Sequence, residues 1–303
     1  MGDFNVINPS GVSKNEFLLT VISGKGGTGK TTIAASLAYL VDKEIVKADC
    51  DVDASNLGII LEGETVYEKA YAGAKVALIN QDICDHCGGC KEVCRYDAIN
   101  LIDSKYVVNN LKCEGCNACV VNCHLDTIDL NEVITGDIIK RQTKSGILVT
   151  SKMIPGAEGS GKLVSEVRKT GREENTQTLI DGSPGIGCAV MASVTGSNHS
   201  LIVTEPTQSG LEDMKRVHQI VANFDSKALA VINKYDINSE VADEIEKECE
   251  RLGITVVGRI PFDTVVNDAV NNLKPVIEYK ESKAAIAIVK MYENINNVIN
   301  GNL

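Results

Sequence analysis

The sequence predicts an α/β fold, a mostly parallel sheet domain into which a small α+β module is inserted, and three observations carry that expectation. Apolar runs of strand length alternate with helical stretches from Phe17 to about Leu61, and again from Thr178 to the C-terminus. Such alternation belongs to a parallel sheet covered by helices on both faces. A glycine-rich loop joins the first strand to the first helix, and eight of the eleven cysteines crowd between Cys84 and Cys123, where the alternation stops. The expected organisation is a flexible leader over 1–16, a sheet domain over 17–79 and 132–303, and an inserted cysteine module over 80–131.

Of the 303 residues, 44% are hydrophobic and 23% charged, the composition of a chain that buries a core. Aromatics make up only 4% and Trp is absent, so the core must be built from Val, Ile, Leu and Ala. A formal net charge of -11 argues against nucleic acid as a partner, because phosphate contacts need a surface of Lys and Arg. No apolar run reaches the roughly 20 residues of a bilayer span, and the stretch up to Phe17 has no hydrophobic signal region. A C-terminal helix, about Ser282 to Val298, is apolar on one face but lacks the basic polar face of a membrane-binding tail. It is expected to pack on the core, with no membrane partner and a cytoplasmic location. Cysteines without a secretory signal point to metal or redox chemistry rather than disulfides.

The first strand, Phe17 to Ile22, runs into SGKGGTGKTT and then the helical IAASLAYLV. Gly24-x₄-Gly29-Lys30-Thr31 is a Walker A pattern in its proper context of strand, loop and helix. Gly24, Gly26, Gly27, Thr28, Gly29, Lys30, Thr31 and Thr32 are therefore expected to bind nucleotide. Backbone N–H groups and the helix N-terminus would cradle the phosphates. Lys30 would reach the β- and γ-phosphates, and Thr31 would ligate Mg²⁺. The second strand, Glu44 to Ala48, leads to DCDVDASNL, in which Asp53 reads as a cap for the following helix.

The cysteine segment reads CDHCGGCKEVC, a spacer, and CEGCNACVVNC, so each half has the spacing C-x₂-C-x₂-C-x₃-C. Cys84 matches Cys113 and Cys94 matches Cys123 at one constant offset, which also matches Asp97 with Asp126 and Ile99 with Ile128. The segment is an internal duplication. A β-like stretch, Ile138 to Ile154, and a helix near Lys162 to Lys169 then return the chain to the sheet. Gly156 to Lys162 repeats GxxxxGK, but Leu163 follows where Mg²⁺ needs Ser or Thr, so this is a glycine-rich turn opening a helix. The strand Thr178 to Ile180 leads to DGSPG, and the strand Leu229 to Ile232 ends in Asn233-Lys234.

These motifs support two resemblances. With a second lysine, Lys25, in KGGTGKT, the loop resembles the variant P-loop of the MinD/ParA/Mrp-like superfamily, to which the nitrogenase iron protein belongs. The resemblance implies a P-loop ATPase domain using ATP/ADP with Mg²⁺. Lys25 would cross the interface of a nucleotide-dependent homodimer, and Asp51 would be the switch I aspartate that orients the attacking water. Asp49 would support Mg²⁺, and Asp181 would hold it from the Walker B position. Gly185 would sense the γ-phosphate, Asn233 would read adenine, and Pro261-Phe262-Asp263 would form a second base-contacting turn. Lys25, Lys30, Asp51 and Asp181 are thus the expected catalytic residues.

The duplicated segment resembles bacterial-type ferredoxins with two 4Fe–4S clusters. That likeness assigns Cys84, Cys87, Cys90 and Cys123 to one cluster and Cys113, Cys116, Cys119 and Cys94 to the other. Zinc is the alternative for paired C-x₂-C motifs. Ferredoxins usually follow the fourth cysteine with Pro, whereas this chain has Arg95 and His124. The combination implies ATP-gated, low-potential electron transfer to a redox or cluster-acceptor protein, in metallocofactor or iron–sulfur assembly. An Mrp-like ATP-dependent cluster carrier is the alternative. Such carriers place C-x-x-C near the C-terminus, where this chain has only Cys249. Cys188 stands where the iron protein places a bridging-cluster ligand, but the second cysteine of that pair is missing. It is expected to be a small buried residue beside switch II.

Overall fold

The computed structural model describes residues 17–157 and 159–301. The leader expected over 1–16 lies outside the described residues. The chain opens with β1 (Leu18–Ser23), α1 (Lys30–Leu40), β2 (Val46–Asp49), the short α2 (Leu57–Ile60) and the long β3 (Gly63–Ile79). Through the cysteine segment run α3 (Gly89–Glu92), β4 (Ile99–Ile102), β5 (Lys105–Val108) and α4 (Ala118–Asn122). The chain returns along β6 (Ile128–Thr143) and β7 (Gly146–Met153) to α5 (Ser160–Glu174), β8 (Thr178–Pro184) and α6 (Cys188–Val194). It ends with β9 (His199–Thr204), α7 (Gln208–Asn223), β10 (Lys227–Asn233), α8 (Ser239–Leu252), β11 (Thr255–Ile260), α9 (Val265–Asn271) and α10 (Lys283–Ile299).

Contacts divide the chain into two compact units, the first comprising residues 17–69, 138–152 and 160–301 of those described. Its sheet has the strand order β11-β10-β9-β1-β8-β2-β7-β6-β3. β1 pairs in parallel with β8 and β9, β2 with β8 and β7, and β10 with β9 and β11. Every residue of β1 is buried, as a strand covered on both faces requires. Alternate residues serve opposite faces. Leu19 and Val21 pack with Ile33 and Leu37 of α1 and Ile288, Met291 and Ile295 of α10, whereas Ile22 packs with Val190, Met214, Val217 and Ile245. The apolar face of α10 is therefore spent on the core, as the sequence predicts. Ser282 caps that helix by accepting from Ala285 N. Cys249 is a core residue at 0% exposure.

Register fixes the site. Val21 of β1 stands beside Asp181 of β8, and Asp181 stands beside Asp49 of β2. The chain leaves β1 for β2 on one side and later places β9 on the other. Its carboxyl end is thus the crevice at which open α/β sheets bind ligands.

The second unit comprises Ala70–Asp137 and, of the described residues from the end of β7 onward, 153–157 and 159. The cysteine segment expected over 80–131 lies within this unit, and β3 and β6 run continuously from one unit into the other. β4 and β5 form an antiparallel pair. Ala77, Ile79, Cys90, Ile99, Cys119 and Ile128 form a small core of their own. The duplication read in the sequence extends to the backbone. His86 and Gly115, Gly88 and Asn117, and Asp97 and Asp126 are equivalent pairs, and all six residues have positive φ.

Candidate functional site

The loop after β1 opens a cleft of about 610 Å³ lined by Lys25, Gly26, Gly27, Gly29, Lys30, Thr31 and Thr32, with Asp51 opposite. Gly29 precedes α1 in the left-handed region, at φ 90, and no side chain caps the helix. The uncapped N–H groups of the first turn are the donors an anion needs. A Cβ at Gly29 would stand 2.4 Å from Asn233 Nδ2, so the position admits only glycine. At Gly24 the restriction is a close approach, since a Cβ there would lie 2.4 Å from the Asp213 Cβ.

Four ionisable groups meet beneath the loop. Lys30 Nζ lies 2.7 Å from Asp181 Oδ1 and 3.2 Å from Asp51 Oδ2. Asp49 is fully buried and its Oδ1 accepts from Asp51 N at 3.3 Å. Burial lowers the Lys30 pKa, but Asp181 and Asp51 outweigh it and hold the pKa above its ordinary value. Burial, reinforced by Asp181, pushes Asp49 well above the usual carboxylate range. Burial also raises Asp51 against the opposing pull of Lys30. Asp181 Oδ2 is buried with no hydrogen-bond partner among the described residues, as is Thr28 Oγ1. An orphaned carboxylate oxygen among three aspartates is a hard oxygen donor set, which fits Mg²⁺.

The other expected residues fall into two groups. Gly185 has φ 95 and donates its N–H to Ser23 O, tying the segment after β8 to the P-loop. Lys25 lines the cleft mouth, donating to Ser209 Oγ at 3.2 Å with Glu205 Oε2 at 3.8 Å. Asn233 donates from Nδ2 to Thr28 O at 2.8 Å, bracing the loop from behind. Asp263 accepts from Ser282 Oγ at 2.7 Å and from the N–H groups of Ala284 and Val265, holding together the starts of α9 and α10. Neither Asn233, Pro261 nor Asp263 is among the residues lining the cleft.

Two expectations need correction. Cys188 is exposed at the start of α6 and lines the cleft, because the turn before α6 carries it to the surface while Val190 fills the core. Asp53 caps nothing. It is exposed and lines the cleft, and Asn56 precedes α2 without a side-chain cap. Glu205 and Ser209 belong to no motif of the sequence. The signal was present in a carboxylate that directly follows β9, at the same sheet edge as the P-loop. Ser160, read as part of a surface turn, also lines the cleft.

In the second unit, Cys94 of the first repeat and Cys113, Cys116 and Cys119 of the second line one cavity, with Ala77, Tyr96 and Leu130. Backbone N–H groups point at the sulfurs. Ala98 donates to Cys94 at 3.4 Å, Ala77 to Cys113 at 3.4 Å and Thr127 to Cys123 at 3.5 Å. Ala98 and Thr127 are equivalent in the duplication. Cys84 and Cys123 pack against the core that holds Cys90, whereas Cys87 is exposed beside Asp85 and His124. His124 Nε2 lies 3.2 Å from Asp85 Oδ2, and Arg95 is exposed.

The sheet order and the loop at its switch point define a P-loop nucleotide-binding protein. The chain belongs to the CobQ/CobB/MinD/ParA nucleotide-binding domain family, whose model matches residues 19–276. An uncharacterized protein of Methanocaldococcus jannaschii is 32% identical over 290 residues, covering 93% of this chain and 97% of its own. The septum site-determining protein MinD of Neisseria meningitidis is 25% identical over 280 residues, covering 88% and 86%. Among solved structures, MinD of Pyrococcus horikoshii complexed with Mg-ADP aligns with TM-score 0.58 at 19% identity, over 95% of this chain and 99% of that one. Among the described residues no helix is long and apolar enough to cross a membrane.

Proposed function

We propose that this chain is an ATP-hydrolysing iron–sulfur protein that couples its nucleotide state to low-potential electron transfer, serving metallocofactor or iron–sulfur assembly. One observation carries the reading. Cys94 joins Cys113, Cys116 and Cys119 around a single cavity, although the spacer separates them in sequence. Three closely spaced thiols plus one from the other repeat is the ligand pattern of a duplicated two-cluster site. Backbone N–H donors to the sulfurs suit thiolates that carry cluster charge. Cys84, Cys87, Cys90 and Cys123 form the equivalent set. Bound clusters supply one-electron storage, and everything else falls to the protein.

At the P-loop, Thr31, Asp49, Asp51 and Asp181 hold Mg²⁺ with ATP or ADP. Lys30 neutralises the aspartates and turns to the phosphates, and Asp51 orients the attacking water. Gly185 reports on the γ-phosphate, while Asn233 and the Pro261–Asp263 turn border the base. Lys25, held by Ser209 and Glu205 in this arrangement, exchanges them for the nucleotide of a partner in a homodimer formed on ATP. The cysteine segment is inserted in the chain between Asp51 and Asp181, and so between the two nucleotide-sensing loops in sequence. A redox or cluster-acceptor protein receives the electron. Cys249, buried and alone, offers no site for the transferable cluster of a carrier.

Metal analysis of anaerobically purified protein tests the reading. About eight iron and eight sulfide per chain are expected. Stoichiometric zinc with little iron overturns it. Iron passing to an apo-acceptor in an ATP-dependent manner, with no electron transfer, replaces it by the carrier function.

A further inference from the structure

A second groove lies between α5 and α6, away from the P-loop loops. It is lined by Arg168, Lys169 and Arg172 of α5 together with Ala192 and Thr195. In a chain of net charge -11, three cations from one helix lining one groove stand out. Arg168 is 8% exposed, and its Nη1 donates to Ala192 O at 2.6 Å near the end of α6. A guanidinium carries five N–H donors, yet Arg168 Nε is buried with no partner among the described residues.

Among the described residues, no carboxylate is paired with Arg168. Burial, and less strongly the neighbouring Arg172, lowers its pKa to about 10, while Cys50 opposes them. Lys169 reaches Glu166 at only 3.5 Å, with its side chain 64% exposed. Among the described residues, Glu173, exposed at the groove, is the one acidic lining residue. A buried charge ordinarily comes with a counter-charge. Among the described residues, the available counter-charge is one carbonyl at the negative end of a short helix, and a second arginine stands alongside.

We propose that the α5–α6 groove is a regulatory site for a small oxyanion, bearing phosphate or carboxylate groups, held by Arg168 and Arg172 with Lys169 at the rim. Planar guanidinium groups match both oxyanions through paired N–H donors. The site is coupled to the nucleotide cleft through α6, because that helix begins with Cys188 at the cleft and passes Ala192 O to Arg168. An anion that draws the guanidinium away from Ala192 O loosens the end of the helix whose start lines the cleft. The inference rests on groups outside the cysteine module and stands whether or not clusters bind there.

The test is a titration of the full chain, saturated with Mg-ADP so that the P-loop is filled, with inorganic phosphate or with citrate. Ionic strength is matched with chloride, and thermal stabilisation is the readout. Saturable stabilisation by either anion is expected, and the stronger of the two identifies the source as phosphate or carboxylate. Arg172→Gln should weaken binding about tenfold, the loss expected for a charge-assisted contact, and Lys169→Gln less. Lys247→Gln, an exposed lysine on α8, should leave it unchanged. No saturable effect above chloride overturns the proposal, as does equal weakening by Lys247→Gln. Binding lost in Lys30→Ala but kept in Arg172→Gln places the anion in the nucleotide cleft and overturns it too.

Discussion

Lys30→Met removes, among the described residues, the cation paired with two of the three clustered aspartates. Its Nζ touches Asp181, which is 0% exposed, at 2.7 Å, and Asp51 at 3.2 Å. Breaking a buried pair by removing one partner costs about 3–5 kcal/mol, because the other charge stays desolvated. The lower end applies here, since Asp49 is already pushed towards its protonated form and can neutralise part of the excess. A loss of about 3 kcal/mol is about a 150-fold change in an opening equilibrium. Native-state hydrogen exchange reads this locally and needs no two-state assumption for a chain with two units. In nucleotide-free protein with EDTA, amides of β1 and β8 should exchange about 150-fold faster in Lys30→Met. The acceleration should shrink as pH falls, because proton uptake by Asp49 and Asp51 replaces the missing cation. Added Mg²⁺ should slow exchange more in the variant than in the parent. Exchange within about threefold of the parent would refute the view that Lys30 is the counter-charge of this cluster.

Asn233→Ala removes a buried donor from Thr28 O and should loosen the P-loop by about 1–3 kcal/mol, read as weaker ATP binding by calorimetry; unchanged affinity would mean that the amide does not shape the loop. Hydrogen bonds from Ser282 and from Val265 N hold the Asp263 carboxyl below its ordinary value. A depressed carboxylate stabilises the fold above its unfolded pKa, and the contribution is lost as pH falls through the folded pKa. Asp263→Asn should therefore flatten the acid limb of a pH–stability profile below about pH 4, and an unaltered limb would contradict this. Lys25→Ala should bind ATP yet stay monomeric in sedimentation runs where the parent dimerises; a parent that is monomeric with and without ATP contradicts the dimer.

What the sequence made legible was local. The P-loop is a contiguous stretch whose spacing encodes its backbone path, so Gly29, Lys30 and Thr31 stand together as read. The cysteine duplication is equally local, and its positive-φ positions recur in both halves. Less legible was anything that depends on which side of a turn a residue leaves by. Cys188 follows a buried strand in sequence, but Gly185 and Gly187 turn the chain so that Cys188 faces solvent. Hydrophobic pattern gives no notice of that. The edges of the second unit leave no mark in the sequence for a different reason. β3 and β6 each continue as single strands across the boundary, and no break in composition marks the point at which one set of contacts replaces the other. Glu205 and Ser209 meet Lys25 only because β9 lies beside β1, a neighbour relation fixed by sheet order.

The central claim, that nucleotide state and cluster state are coupled, is tested most directly by EPR-monitored redox titration with and without a non-hydrolysable ATP analogue. Closing the nucleotide-sensing loops should move or cover charge near the inserted segment, and a 1.4 kcal/mol change is about 59 mV for a one-electron couple. The account expects at least one cluster potential to shift on binding the analogue, and Asp181→Asn to suppress that shift. Identical potentials in both states, in protein that carries its full iron and binds the analogue, would contradict it.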